Sequence, residues 1–352
     1  MRRVLIDDRL NFYKGNMHCH STLSDGALSP EELKDAYKNK GYSFIAITDH
    51  DRLYSHKELC DENFLALTAC EISIKQFPEQ STLVNQSMKV CHLNLYAKDM
   101  NNTADIFYST VADHYSTPED KAKLVEKFGD NHREYSADGI CDIIRRADEN
   151  GFFVCYNHPR WSLENYSDYS KYDGIWGVEI FNTNVNIGGI YEYDINVFDD
   201  MLRSGKRIMA SCGDDNHNKK GIRDSFGAFV MVNCDVLSYD SVINALLNGK
   251  FYVSSAPIIH SLYVENKKVY ISCSDAEMIT YSTAGRRAEA VFAEDGKLVG
   301  YAEFDIDESD GYFRLDVIDS RGRHANTQAY FVSEILKSKN FQNFKKKTYI
   351  FR

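Results

Sequence analysis

Short apolar runs alternate with helical segments from the start of the chain to about Pro257, and this alternation limits the possible folds. SPEELKDAYKNKG precedes the run YSFIAITDHD, and GICDIIRRADENG precedes FFVCYNHP. In the first helix, Ser29 can cap the N-terminus and Pro30 suits the first helical position. Glu32 completes a capping box with Ser29, and Gly41 marks the end. The pattern predicts parallel βα units, either in an open doubly wound sheet or in a closed barrel.

The pattern changes in two places. Residues from about 99 to 135 are polar and weakly helical, which predicts an insertion that is either a lid over a site or a surface helical excursion. After Pro257, alternating polar and apolar runs are separated by turn signals such as Glu294-Asp295-Gly296. They predict a small all-β, sandwich-like domain at about 258–340. We therefore divide the chain into a first domain, 1–257, and a second domain, 258–352, which ends in a basic tail.

Histidines and carboxylates recur at or just beyond the ends of the apolar runs. The segment NMHCHSTLSDG places two histidines two residues apart, and a second such pair, Asp-x-His, follows RIMASCGD. Residues i and i+2 of a strand point to the same face, so both members of a pair can reach one ion. The residues in this pattern are His18, His20, Asp25, His50, Glu71, His92, His158, Asp215 and His217.

Each of these residues alone has an ordinary structural explanation, such as a cap, a turn or a buried hydrogen bond. Together they predict a metal site, because side chains at strand ends converge in a parallel α/β barrel. Asp214 beside Asp215 is an alternative ligand, although the Asp-x-His spacing favours Asp215. The remaining histidines lack such a placement: His56, His114, His132, His260 and His324.

Composition excludes some functions. The net charge is 41 − 52 = −11, which argues against extended nucleic-acid binding, since that needs excess Lys and Arg. The apolar runs are shorter than the roughly 18 residues that a membrane span needs, and the N-terminal segment lacks the apolar core of a signal peptide. The nine cysteines form no CxxC pair, so we expect free, mostly buried thiols and a reducing, cytoplasmic location.

These residues resemble the signature of the PHP (polymerase and histidinol phosphatase) superfamily over about residues 10–257. The segments that carry the resemblance are His18-Cys19-His20-Ser21-Thr22, Ser24-Asp25-Gly26, Thr48-Asp49-His50, Glu71, His92, Asn157-His158-Pro159 and Asp214-Asp215-Asn216-His217. The order of the domains is similar to a branch related to carbaryl hydrolase and to metal-dependent phosphoesterases.

The resemblance implies a distorted (β/α)7 barrel with two to three divalent ions. It implies that His18, His20, Glu71 and Asp215 hold one ion. Glu71 would bridge to a second ion, held also by His92 and His158. A third ion would be held by Asp25, His50 and His217. Mixed imidazole and carboxylate ligands suit Zn²⁺, Mn²⁺ or Fe²⁺.

From these ligands we expect hydrolysis of a phosphomonoester or terminal phosphodiester of a small molecule or nucleotide, by metal-bound hydroxide. His217 or His50 is a candidate for proton transfer. Arg160 and Arg223, which follow two of the ligands closely, are candidates for binding phosphate oxygens, and Lys219 and Lys220 lie near His217. No membrane partner is expected.

Two other functions remain open. A carboxyl-ester, carbamate or amide hydrolase can use the same ions, and its site should be apolar around them. A binding module is the alternative from another class, with the β domain binding a ligand and the barrel ancillary. The aromatic residues that such a module would expose are Tyr263, Tyr270, Tyr281, Tyr312 and Phe313, although aromatic residues in strands are more often core or cross-strand pairs.

Overall fold

The computed structural model describes residues 2–191 and 193–336. The chain divides into two compact units. One is Asp8–Ala256, and the other combines residues of Met1–Asp7 with residues of Pro257–Arg352. The basic tail predicted at the end of the chain lies outside the described residues.

The described strands are β1 (Arg2–Ile6), β2 (Asn11–Asn16), β3 (Phe44–Ala46), β4 (Leu65–Leu67), β5 (Ala69–Lys75), β6 (Val90–Ala97), β7 (Phe152–Tyr156), β8 (Gly177–Asn182), β9 (Met209–Gly213), β10 (Phe229–Cys234), β11 (Phe251–Ser254), β12 (Ile259–Glu265), β13 (Lys268–Ala276), β14 (Met278–Thr283), β15 (Ala288–Phe292), β16 (Val299–Asp305), β17 (Tyr312–Ile318), β18 (His324–Asn326) and β19 (Tyr330–Phe331). The described α-helices are α1 (Pro30–Lys38), α2 (Pro118–Phe128), α3 (Ala137–Glu149), α4 (Tyr166–Tyr169), α5 (Thr183–Ile187), α6 (Ile195–Arg203), α7 (Tyr239–Leu247) and α8 (Val332–Ile335).

Helix α1 begins as its sequence predicts. The Ser29 hydroxyl accepts a hydrogen bond from the Glu32 backbone N–H at 3.2 Å, and the Glu32 carboxylate accepts one from the Ser29 backbone N–H at 2.8 Å. The capping box is therefore complete, with Pro30 in the first turn. Gly41 has a φ of +75°, a conformation that glycine adopts without strain, and the chain then enters β3.

The helices pack their apolar stripes onto buried strands. In α3 the buried residues are Ile140, Ile143, Ile144 and Ala147, the spacing of one helix face. The following strand, β7, is buried along its whole length, as expected for a strand covered on both faces. The mixed α/β architecture expected for this part of the chain is confirmed.

The strands of Asp8–Ala256 form two mixed sets, ordered β11-β10-β2-β3-β4 and β5-β6-β7-β8-β9. The pairs β2–β3, β3–β4, β7–β8 and β8–β9 are parallel. Strand β6 instead runs antiparallel to both β5 and β7. Strand β10 likewise runs antiparallel to both β2 and β11. The expectation of parallel units throughout was therefore wrong at β6 and at β10. Strand β6 follows β5 without an intervening α-helix and so needs no crossover.

Backbone hydrogen bonds also join residues beyond the ends of these strands. Cys19, after β2, forms a parallel bridge with Asn216, after β9. His50, after β3, forms a parallel bridge with Glu71 on β5. Both bridges contain or adjoin predicted ligands, so the backbone brings the two sets of strands together around these side chains.

The second unit is built from antiparallel strands, in the orders β1-β12-β13-β16 and β15-β14-β17-β18, with β19 on β17. Side chains of β13 alternate between buried and partly exposed, as expected when one face of a sheet is covered. The buried Tyr281 ring of β14 lies 5.4 Å from the Phe304 ring of β16, so it joins the two sheets.

The aromatic residues proposed for a binding surface of this unit are mostly core. Tyr281, Tyr312 and Phe313 are buried. Tyr263 and Tyr270 are directly opposite each other on neighbouring strands, with rings 4.8 Å apart and nearly parallel. The preferred interpretation, core residues and cross-strand pairs, is confirmed.

All nine cysteines are unpaired and seven of them are buried, as predicted. Within residues 2–191 and 193–336, no helix has the length and apolar character needed to cross a membrane.

A substitution at Ser29 tests whether the capping box stabilises α1. We expect Ser29→Ala to lower the free energy of unfolding by about 1 kcal/mol, because the Glu32 N–H loses its acceptor. Urea unfolding would measure this difference. Ser29→Thr keeps a hydroxyl at the cap and is the control; equal losses in both variants would contradict the account.

Candidate metal centre

Two buried histidines follow β2 and point to the same place. His18 and His20 are fully buried, and their Nε2 atoms lie 3.3 Å apart. The Asn16 side chain donates to the His18 carbonyl at 3.0 Å, which fixes the backbone between strand and loop. The spacing of two residues therefore brings both imidazoles together, as predicted.

Glu71 on β5 lies at the centre of the cluster and is 1% exposed. Imidazole nitrogens lie 3.1 to 3.5 Å from its two oxygens; they belong to His18, His20, His50, His92 and His158. Oε1 faces three of these rings and Oε2 faces the other two. One carboxylate thus contacts ligands from several strands, which is the placement expected of a bridging ligand.

Asp214 and Asp215 have different surroundings. Asp215 Oδ1 lies 3.0 Å from His20 Nε2 and 3.3 Å from His18 Nε2. The Asp214 carboxylate instead accepts hydrogen bonds at 2.7 to 3.0 Å from the Tyr37 hydroxyl, the Thr183 hydroxyl and the backbone N–H groups of Phe226, Gly227 and Ala228. Asp214 is occupied by these five donors, and Asp215 is the one that faces the histidines.

A third group lies nearer the solvent. Asp25 Oδ1 lies 3.2 Å from His217 Nε2, 3.7 Å from His50 Nε2 and 3.9 Å from His20 Nδ1. The loop that carries Asp25 is held by Asp49, whose carboxylate accepts from the Ser21 backbone N–H and from the hydroxyls of Ser21 and Ser24. This explains the serines of the HSTLSD segment.

All nine predicted ligands fall into overlapping groups whose donor atoms lie within 4.8 Å of one another. The groups are His18, His20 and Glu71; His18, His158 and Asp215; Glu71, His92 and His158; and His20, Asp25, His50 and His217. Because neighbouring groups share residues, the arrangement fits a multinuclear centre better than separate sites.

Unpartnered nitrogens also fit a metal. Among the described residues, His20 Nδ1, His50 Nδ1 and His92 Nδ1 are buried and have no hydrogen-bond partner in acceptable geometry, although a carboxylate oxygen lies within 3.9 Å of each. A buried polar atom without a partner is costly. An ion between such a nitrogen and its neighbouring oxygen would satisfy both.

The charges in this buried cluster depend on one another. Burial acts to raise the pKa of Glu71, but the surrounding imidazoles, foremost His92 and His18, hold that pKa well below its usual range. Burial, together with the charge of His50, lowers the pKa of His20 to about 4. Burial also acts to lower the pKa of His50, but contact with the Glu71 carboxylate raises it to about 9. Metal binding would then release a proton from His50.

Sequence reasoning missed the residues that form hydrogen bonds with the ligand residues and orient them. Glu179 is buried on β8, and its Oε1 lies 3.1 Å from His18 Nδ1. Its Oε2 accepts from the His158 backbone N–H at 3.2 Å and from Asn182 Nδ2 at 2.9 Å. The available signal was a lone charge within the apolar run GVEIF.

Two further side chains have the same role. Ser73 Oγ lies 3.0 Å from His92 Nε2, and Asn157 Nδ2 donates to Glu71 Oε1 at 2.8 Å. The Ser73 contact orients the His92 ring and selects its tautomer, and the Asn157 contact orients the Glu71 carboxylate.

The centre opens into a cavity of about 300 Å³. Besides ligands, its lining includes Trp161, Val185, Ile222 and Lys219. The two predicted phosphate-binding arginines are not among the lining residues. Arg160 is half-exposed and pairs with Asp194 at 3.1 Å, and Arg223 is exposed. The structure instead brings Lys219 to the cavity, with Nζ 3.4 Å from Asp25 Oδ2.

The predicted insertion at 99–135 contains α2 and contacts the surroundings of the site. Tyr115 lies nearly parallel to the His50 ring at 6.4 Å, and Arg133 pairs with Asp51, next to His50. His114 and His132 are exposed. Whether the segment acts as a lid stays a prediction.

We expect chelation to destabilise the protein. Ligand binding to the folded state alone raises stability, and here it would also satisfy buried ligand atoms. A chelator should therefore lower the melting temperature measured by calorimetry. The double variant His18→Ala, His20→Ala should respond far less to the chelator, and an equal response in both proteins would argue against binding at this centre.

We expect Glu179→Gln to weaken metal binding by roughly 10- to 100-fold, because glutamine cannot accept from His18, His158 and Asn182 together. Titration of Zn²⁺ into metal-free protein would measure the affinity. The exposed Glu149→Gln is the matched control. Unchanged affinity in Glu179→Gln would show that Glu179 does not support the ligands.

Comparison with known proteins gives a family for this chain. A model of the PHP domain family matches residues 16–189. DNA polymerase/3'-5' exonuclease PolX of Bacillus subtilis (strain 168) is 54% identical over 39 residues, which are 11% of this chain and 7% of that protein. A 5'-3' exoribonuclease of Haemophilus influenzae is 48% identical over 40 residues, which are 11% of this chain and 15% of that protein. The matched segments thus span only a small part of these curated relatives.

A crystal structure of a two-domain protein from Bacteroides vulgatus aligns over 92% of this chain and 96% of that chain. That protein is described as containing a predicted PHP-like metal-dependent phosphoesterase. The TM-score is 0.42 and the identity 14%, so this likeness carries no weight for fold or function. The family match covers the segment that carries His18, His20, Glu71, His92 and His158, and residues 16–189 of the chain therefore belong to the PHP domain family.

Proposed function

We propose that this protein is a metal-dependent phosphoesterase that hydrolyses a phosphomonoester or a terminal phosphodiester of a small molecule or nucleotide. The observation that carries the proposal is the position of Glu71, whose two oxygens face five imidazoles at 3.1 to 3.5 Å. Adjacent ions that share a carboxylate suit phosphoester hydrolysis, because they can contact both the attacking and the leaving oxygen.

The ligands divide among two to three ions. His18, His20, Glu71 and Asp215 would hold the first ion, and Glu71, His92 and His158 the second. Asp25, His50 and His217 would hold the third. The mixed donors suit Zn²⁺, Mn²⁺ or Fe²⁺. When bound, the ions would supply positive charge to the phosphate and lower the pKa of water.

Protein groups at the outer edge of the centre would complete the chemistry. His217 and His50 are the partly exposed histidines of the cluster, with side chains 14% and 17% exposed. When only the first two ions are bound, either histidine can exchange a proton with solvent or with a leaving group. Lys219 is placed to neutralise a phosphate oxygen. Arg160 and Arg223 remain proposed contacts for a larger substrate, because both lie within a few residues of a ligand.

We also propose the finer architecture. Strands β2, β3, β5, β6, β7, β8 and β9 would form a distorted (β/α)7 barrel, supported by the bridges Cys19–Asn216 and His50–Glu71. The predicted division at 257/258 into a barrel domain and a β domain remains a proposal, with β1 (Arg2–Ile6) moved to the β domain because it pairs with β12. A cytoplasmic location is a proposal of the same kind.

A carboxyl-ester, carbamate or amide hydrolase is the second candidate. Val185, Ile222 and Trp161 give the cavity an apolar portion, which would suit an uncharged substrate. Lys219 in the same lining favours an anion. We therefore place the phosphoester first.

A substrate panel separates the two candidates. We expect Mn²⁺- or Zn²⁺-dependent release of p-nitrophenol from p-nitrophenyl phosphate or bis-p-nitrophenyl phosphate, measured by absorbance, and little from p-nitrophenyl acetate. His18→Ala, His20→Ala should abolish it. Turnover of the acetate alone would replace the proposal with the ester hydrolase, and turnover that persists in the double variant would place the activity elsewhere.

A further inference from the structure

We infer that Trp161 is the stacking surface for a planar aromatic group of the substrate, so that the centre prefers phosphoesters of nucleosides or aryl alcohols. This inference rests on the proposed function, because it assumes that the phosphate lies at the ligand cluster. It adds the chemical class of the group attached to the phosphate.

Trp161 combines exposure with contact to the centre. It lies three residues after His158, and its ring is 4.9 Å from the His158 ring and 5.1 Å from the His92 ring. It nevertheless leaves 41% of its surface exposed and lines the cavity. A tryptophan in this position offers a large π surface immediately beside the place where a phosphate would be held.

The cavity has a charged part and an apolar part. Lys219 and Asp25 belong to the charged part, whereas Trp161, Val185 and Ile222 are apolar. Ile222 is 46% exposed, so it adds apolar surface that a ligand would cover. A volume of about 300 Å³ lies at the lower end of the range for small-molecule sites, which suits a phosphate with one ring system and not an extended polymer.

The loop that carries Trp161 is held rigidly. Backbone hydrogen bonds of 3.1 to 3.2 Å run from Ser162 to His158, from Leu163 to Arg160 and from Glu164 to Pro159. Leu163 has a φ of +60°, a conformation that persists in a non-glycine residue only where its surroundings impose it.

Glu164 anchors the end of this loop. Its buried carboxylate accepts hydrogen bonds from the hydroxyls of Tyr135, Tyr156 and Tyr172 at 2.5 to 2.7 Å. Because these hydrogen bonds already order the loop, little conformational entropy would be lost when a ligand stacks on the tryptophan.

Three phosphonates test the inference without turnover, since their C–P bond is not an ester. Phenylphosphonate and cyclohexylphosphonate both carry six carbons, but only phenyl is planar; methylphosphonate lacks the ring. Titration calorimetry with Mn²⁺-loaded full chain should show phenylphosphonate binding roughly 2- to 10-fold tighter than cyclohexylphosphonate. Trp161→Leu, which keeps apolar cover over the histidines, should reduce this ratio to near one, and Trp161→Phe should retain part of it.

Fluorescence gives an independent measurement. The chain has two tryptophans, and Trp176 packs against Phe153 and Phe251 and donates to the Leu246 carbonyl. Phenylphosphonate should therefore change the emission of the wild type but not of Trp161→Phe.

The outcomes separate the two proposals. Equal affinities for phenyl- and cyclohexylphosphonate in the wild type, or an unchanged ratio in Trp161→Leu, would overturn the stacking role and leave the phosphoesterase intact. If none of the three phosphonates binds, the phosphate site itself fails.

Discussion

The Glu71 carboxylate is buried where it can exist only with compensating partners. Removal of an ionised carboxylate from water costs several kcal/mol, and at 1% exposure Glu71 has almost no solvent left. Five imidazoles from four segments of the chain surround it. Their convergence requires the strands of Asp8–Ala256 to bring their polar residues to one place, so the fold and the centre constrain each other.

Residues that contact the ligand residues fix the directions in which the ligand side chains point. Glu179 holds His18 from the side opposite Glu71, and five donors occupy Asp214, so the next residue, Asp215, points to the histidines. Position 213 must be glycine, because a Cβ there would lie 2.4 Å from the His18 Cβ. The backbone around the centre is thus as specific as the ligands.

The sequence predicts those features that depend on local spacing. The capping box of Ser29 and Glu32 and the shared direction of His18 and His20 follow from residues a few positions apart. The sequence could not reveal that β6 is antiparallel, which brings His92, near the start of its strand, beside residues that follow other strands. The contact of Glu179 with His18 joins residues 161 positions apart. Sequence spacing also could not show that Lys219 lines the cavity or that Arg160 pairs with Asp194. Both positions depend on the conformations of loops.

In the proposed centre, Glu71 would join two or more bound ions. The most direct test is the number of ions bound per chain, measured by inductively coupled plasma mass spectrometry after reconstitution with Zn²⁺ or Mn²⁺, in the wild type and in the isosteric variant Glu71→Gln. We predict two to three ions per wild-type chain and at least one fewer in folded Glu71→Gln. A wild type that binds no ion, or a variant that binds as many as the wild type, would contradict the claim.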